Sequence, residues 1–385
     1  MNPSSKNWLE EYLIFYKNQE SPNIQSEDEL YKIMLNSSLL FAVALDQSKK
    51  LHPDFDKWTS KEKMRIIFAH HLFIITDFYI YRNKSSLSFS DIYKQFALSE
   101  NTELSIESYI DNLIGGKRDS LFLNTYNINP WLFLPLIRFY FFLKKESVNT
   151  NQLKIDILKG MYTAVKVDDE ISKNEKRLLK RYISNSDLSE EEQEIIKTDS
   201  DIQSMTSSLS EREPWIKKIC YDLALFALMS DRKIGEKELQ FVNEYADVLN
   251  ISLPEQHLTF SLIQNIYLNH YTELPHLRKT YSYESVKNVV NHNFTYILKK
   301  NSGMITNEIR ESKELIALLR KSTDEKLSEE EKAKIREQIL DLLKTIPSLT
   351  IFMIPGGTII LPLLMKILPE DLLYPSSFIN KNAKS

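Results

Sequence analysis

An internal repeat held in strict register constrains this chain more than any other feature. Acidic residues 168–170, Ile171 and Glu175 reappear as Asp231, Ile234 and Glu238. The same spacing, 231 against 168, pairs Ala164 with Ala227, Tyr182 with Tyr245, Leu188 with Ile251, Ser189 with Ser252 and Glu192 with Glu255. A register kept that long without a gap implies duplicated helical units packed on one another. The start signals fit. Ser172 stands three residues before Glu175, so the serine can cap the third amide of a helix while the glutamate reaches back. Ser189 with Glu192 and Ser252 with Glu255 repeat the device, and Gly235 replaces the serine at the second copy's first cap at little cost. Each unit reads as an apolar helix, a short acidic turn and a capped second helix.

Composition points the same way. Only 7 Gly occur in 385 residues, hydrophobic content is 42% and charged content 26%. That is ordinary globular material, poor in the residues that make tight β-turns, and the expected fold class is all-α. A net charge of −4 makes no electrostatic case for nucleic acid, so no DNA partner is expected. The single cysteine, Cys220, excludes an intramolecular disulfide framework, and its apolar helical setting reads as packing. The N-terminus has no apolar stretch of signal-peptide type, which predicts a cytoplasmic location for the bulk of the chain.

Residues 1–148 are expected to form a helical N-terminal domain. Thr59 and Glu62 can box the start of a long helix from Ile66 to Ile80 that is apolar nearly all round and therefore buried. His70, His71 and Asp77 on it invite a metal. Neighbouring helical residues point about 100° apart, however, so core histidines with polar partners are the stronger reading. Residues 131–143 are a second apolar run, too short to span a bilayer and carrying Arg138, which predicts a core or interdomain helix. Residues 88–113 have faint helix-turn-helix spacing, but the second helix lacks the basic residues that DNA reading needs.

The turn pattern at Asp168 to Glu175, repeated in tandem at Asp231 to Glu238, resembles the TerB-like (tellurite-resistance type) helical domain. The resemblance covers residues 151–270 and implies a divalent-cation site at Asp168, Glu175, Asp231 and Glu238. The residues themselves favour a plainer role, with the glutamates as caps and the aspartates shaping turns. An EF-hand is excluded, because its ligand spacing and closing glutamate are missing.

Residues 271–325 read as connecting helices, among them Tyr283–Lys299 and Glu308–Arg320. A capping box at Ser328 and Glu331 opens a last helix whose Ile335, Ile339, Leu342 and Leu343 share one stripe. It packs on its own domain, on a second copy or on a membrane surface. Residues 345–365 carry no charge at all. As a helix they would rise roughly 31 Å, the thickness of a bilayer's hydrocarbon core. Pro347, Pro355 and Pro362 interrupt the stretch, leaving a kinked span, a re-entrant hairpin hinged at Pro355, Gly356 and Gly357, or a buried core hairpin. Spanning length favours the membrane.

The proline ladder Pro347, Pro355, Pro362, Pro369 and Pro375, with the box at Ser328 to Glu331 before it and Ser376, Ser377 and Phe378 after it, resembles the membrane region of the LETM family. The resemblance covers residues 326–380. With a TerB-like region ahead of it, the whole looks like bacterial LETM-related proteins of the biofilm-associated type. It implies an inner-membrane location with the bulk on the cytoplasmic side, cation/proton exchange as an oligomer, and ribosome contact through a large soluble domain that follows this stretch in family members; with the sequence ending at Ser385, that contact is expected to lose its structural basis. The family's acidic residue after the middle proline corresponds to neutral Thr358, which removes the usual proton handle. No phosphate loop, nucleophile elbow or zinc spacing is present, so the expected function is a non-enzymatic, membrane-tethered scaffold or sensor that contacts the lipid bilayer.

Overall fold

Helices start where the capping boxes place them. In the computed structural model, Thr59 and Glu62 exchange both bonds of the box and open α3, Ser60–Asn83. Ser88 and Asp91 do the same for α4, Phe89–Ser99. The structure describes residues 1–19, 24–43, 51–84, 86–100, 104–114, 129–168, 171–198, 209–230, 236–269 and 302–324. It also describes residues 202, 205, 274, 327–328, 330–331, 333–335 and 337–339. The described residues are helical with no strand, so the chain is all-α. Residues 345–365 and the expected helix Tyr283–Lys299 lie outside the described residues.

The remaining helices are α1 Trp8–Lys17, α2 Glu27–Asn36, α5 Ile106–Ile114, α6 Leu134–Leu143, α7 Thr150–Lys166, α8 Lys173–Ser184, α9 Glu190–Thr198, α10 Pro214–Leu228, α11 Glu236–Leu249, α12 Leu253–Asn269, α13 Ser302–Glu311 and α14 Lys313–Asp324. They fall into two compact units, one holding α1–α11 and the other α12–α14 with the helical positions after residue 327.

In the first unit α3 is buried along most of its length, from Met64 through Phe78. The run expected to be a core helix is α6, entered through Pro135 in its first turn, where proline's missing amide costs nothing. Side chains from either side of residues 148–151 share one interior. The Trp131 indole donates to the Tyr182 carbonyl at 2.9 Å and the Tyr31 hydroxyl to Asp222 at 2.5 Å. Trp215 of α10 stacks on Tyr140 of α6, with centroids 3.9 Å apart and planes 7° off parallel.

The repeat is visible in the backbone. Helices begin at 150, 173 and 190, and again at 214, 236 and 253. Asp187 and Asn250, in matching positions, both adopt the left-handed conformation, with φ of 57° and 55°. The next cap is duplicated atom for atom: the Ser189 amide donates to Glu192 at 2.8 Å and the Ser252 amide to Glu255 at 2.9 Å. Gln193 and Gln256 each donate to the carbonyl five residues back, Leu188 and Ile251, at 2.9 Å. Identical local chemistry at equivalent positions gives identical chain reversals.

The first helices of the two copies, α7 and α10, pack closely along their lengths. Gly160 makes room for Tyr245 of α11, since a Cβ there would sit 2.7 Å from the Tyr245 hydroxyl, while Ala224 of α10 would lie at an ordinary contact distance of 3.6 Å. Asp156 is buried in the same seam, accepts from Gln152 at 2.8 Å and faces Arg212 at 3.3 Å. Burial raises its pKa against both partners, and burial likewise raises the Cys220 thiol, with Asp156 adding to it.

One helix boundary differs from expectation. Glu308–Arg320 is not continuous; it breaks at Ser312, which ends α13 and caps α14 by accepting the Leu315 amide at 3.3 Å. Serine's hydroxyl competes for backbone amides, a local signal that apolar periodicity overrides when read alone.

Candidate functional site

Three places can carry function: the acidic turns of the repeat, the polar groups around α3 and α6, and the C-terminal unit. In the first turn Asp168 is exposed just past the end of α7, while Glu175 is buried on α8. The Glu175 carboxylate accepts the Ser172 amide at 2.6 Å and completes the capping box there. In the second copy Glu238 is buried on α11, and Asp231 lies outside the described residues. Among the described residues no group of three or more His, Cys, Asp or Glu is arranged to hold a metal ion.

On α3 the His70 Nδ1 lies 2.9 Å from the Tyr12 hydroxyl, and Asp77 accepts from the Tyr16 hydroxyl at 2.7 Å. His71 Nδ1 lies 2.6 Å from the Ile67 carbonyl, one turn earlier on its own helix. The two histidines therefore look to different partners, as their 100° separation requires. Burial, with the neighbouring His71 second, pushes His70 down to about 3, and burial raises Asp77 against the Tyr16 bond. The Tyr12–His70 and Tyr16–Asp77 contacts tie α1 to α3.

Sequence reasoning missed a cavity of about 520 Å³ between the ends of α3 and α6, walled by Phe78, Tyr79 and Tyr140 and edged by Glu27, Arg82, Lys144 and Lys145. Its volume suits a small molecule. Its charges, however, already answer one another. Arg82 pairs with Glu27 at 2.9 Å, and Lys144 lies 3.4 to 3.9 Å from Glu146, Glu213 and Glu27. Burial presses the Lys144 pKa down, yet those three carboxylates together lift it above the ordinary value. The cations also stand at two helix C-termini, where exposed carbonyls favour positive charge. At the second, Lys145 takes the left-handed position, φ 60°, of a closing turn in which the Glu146 amide reaches the Phe141 carbonyl at 3.0 Å. Arg82 and Lys144 thus complete helix ends and are answered by carboxylates.

The C-terminal unit is organised differently. After α14, positions 330–331, 333–335 and 337–339 are helical, opened by the expected box, with the Ser328 amide donating to Glu331 at 2.9 Å. Three contacts tie this stretch to α14: Lys321 with Glu331 at 2.6 Å, Lys334 with Glu314 at 2.6 Å, and the Gln338 amide donating to Glu314 at 2.8 Å. Low numbers on one helix meet high numbers on the other, so the two run antiparallel. Lys334, then Gln338, holds the Glu314 carboxyl below its usual range, and Lys321, then the Ser328 amide, does so for Glu331. Leu315, Leu319, Ile335 and Ile339 are buried, as are Ile305 and Ile309 of α13. Each such aliphatic burial stabilises by about 1.5–3 kcal/mol. Exposed ion pairs gain little net energy, so here they set register rather than affinity.

This stretch opens the part of the chain that a known family covers. Residues 327–385 match the family model described as LETM1-like, RBD. The chain carries a LETM1-like domain. No curated protein and no solved structure matches the chain. Of the stripe expected on the domain's first helix, Ile335 and Ile339 are buried within the unit, whereas Leu342 and Leu343 lie outside the described residues. The membrane-segment residues Pro347, Pro355, Gly356, Gly357, Thr358, Pro362 and Pro369 lie outside them too. Among the described residues no helix is long and apolar enough to cross a membrane.

Proposed function

We propose that the chain is a non-catalytic helical protein tethered to the cytoplasmic face of an inner membrane through its LETM1-like domain, with the tandem repeat, read as TerB-like, serving as a scaffold or sensor. The observation that carries this reading is the uncharged stretch of residues 345–365 lying inside the LETM1-like match. A stretch of that length without charge is far cheaper in hydrocarbon than in water. Neutral Thr358 supports a tether over an exchanger, because intramembrane transport of cations against protons generally runs through a carboxylate. Fractionation of cells making the full chain tests it. The protein should pellet with membranes and resist carbonate extraction; recovery wholly in the soluble fraction overturns the reading.

A second reading is ribosome binding at the membrane, favoured by the matched model's own description, LETM1-like, RBD. Ribosome contact is also what the LETM resemblance implies. Co-sedimentation of the detergent-solubilised full chain with ribosomes at moderate salt should show salt-sensitive binding, and an unchanged supernatant would remove this reading.

A further inference from the structure

We infer that α13 and α14 belong to the LETM1-like domain as its brace, so that the domain's folded body begins near Ser302 and not at residue 327 where the family match starts. The match opens at a loop residue, Leu327, and its first helical positions have no apolar cover within the described part of the match itself. The described apolar residues that share their unit lie upstream. Ile335 and Ile339 are buried in the unit that also buries Ile305, Ile309, Leu315 and Leu319. The polar edge of the same helical stretch is fastened to α14 at both ends, by Lys321 to Glu331 near the turn and by Glu314 to Lys334 and Gln338 far from it. Two fastenings separated by two helical turns fix both the rotation and the register of the stretch. Ile335 and Ile339 are therefore spent on the brace and are not free to lie on a lipid surface.

The inference stands on the geometry of the C-terminal unit and is independent of whether residues 345–365 enter a membrane. Hydrogen–deuterium exchange on the full chain, alone and with phosphatidylcholine/phosphatidylglycerol vesicles, tests it. Amides of 333–339 should exchange at the pace of those in α14, and vesicles should leave them unchanged. Glu314→Lys should speed exchange across 333–339 about tenfold or less, the scale of losing surface contacts at one end of a helix. Adding Lys334→Glu to it should restore protection, which a merely misfolded chain would not do. Leu319→Asp should release 333–339 while leaving α7 and α10 protected. Fast exchange of 333–339 in the wild type, protection gained only with vesicles, or protection indifferent to Leu319→Asp and to the charge swap would each overturn the inference.

Discussion

The seam between α7 and α10 and the pairing of α14 with the helical stretch after Ser328 are both helix-on-helix contacts, built on opposite principles. In the first, a glycine makes room for a tyrosine hydroxyl and polar groups are buried: Asp156, Cys220 and the Tyr245 hydroxyl all sit inside. In the second, a narrow aliphatic stripe is buried and the described charged pairs, Lys321 with Glu331 and Lys334 with Glu314, stay at the edge. Buried polar seams tolerate little change because an unpaired group inside is costly, whereas an aliphatic stripe with exposed charges can open and close as a unit.

The comparison can be broken most forcefully by removing an anchor from each region. Trp215→Ala deletes the ring stacked on Tyr140 and should cost about 3–5 kcal/mol, lowering the main cooperative unfolding transition. Leu319→Ala should cost about 2–5 kcal/mol, confined to the C-terminal unit and read as a separate early transition. A single merged loss in both variants would contradict the division. Next in size, Gly160→Ala places a methyl 2.7 Å from the Tyr245 hydroxyl and should destabilise by about 1–3 kcal/mol. Gly303→Ala, with open space around it in α13, should stabilise slightly as an exposed helical glycine.

Acid should distinguish the regions as well. His70 is held at about 3, below the ordinary value near 6.5, so between those limits the unfolded chain binds a proton that the native chain refuses. Its contribution is present above the unfolded pKa and is lost as pH falls through this window. The difference in chemical-denaturation stability between wild type and His70→Gln should therefore narrow steadily from pH 7 to pH 4, and a constant difference would refute the assignment. The smallest effect belongs to Glu314→Gln, which should leave the main unfolding transition unmoved while loosening 333–339 in exchange measurements.

Much of the local structure in both regions was legible in the sequence. The boxes at Thr59, Ser172, Ser189, Ser252 and Ser328 are short-range chemistry and formed as spaced. The repeat register found equivalent buried positions at Tyr182 and Tyr245. What periodicity could not supply was long-range. Nothing local to Tyr31 announces Asp222, and nothing local to Trp131 announces the Tyr182 carbonyl. Ser312 shows the converse, a one-residue signal outweighed by the apolar spacing around it. At the candidate site, Glu175 was legible as a cap, whereas the cavity beside α6 was not, because its wall is assembled from α2, α3 and α6.

The central claim of the proposed function is that the LETM1-like domain seats the chain at a membrane through residues 345–365. Flotation of the purified full chain with phosphatidylcholine/phosphatidylglycerol vesicles, beside an Ile354→Glu/Ile360→Glu variant, tests it most directly. The wild type should rise with the vesicles and stay with them in high salt, while the variant stays at the bottom with its α-helical content intact. A wild type that remains at the bottom, or a variant that floats equally well, would contradict the account.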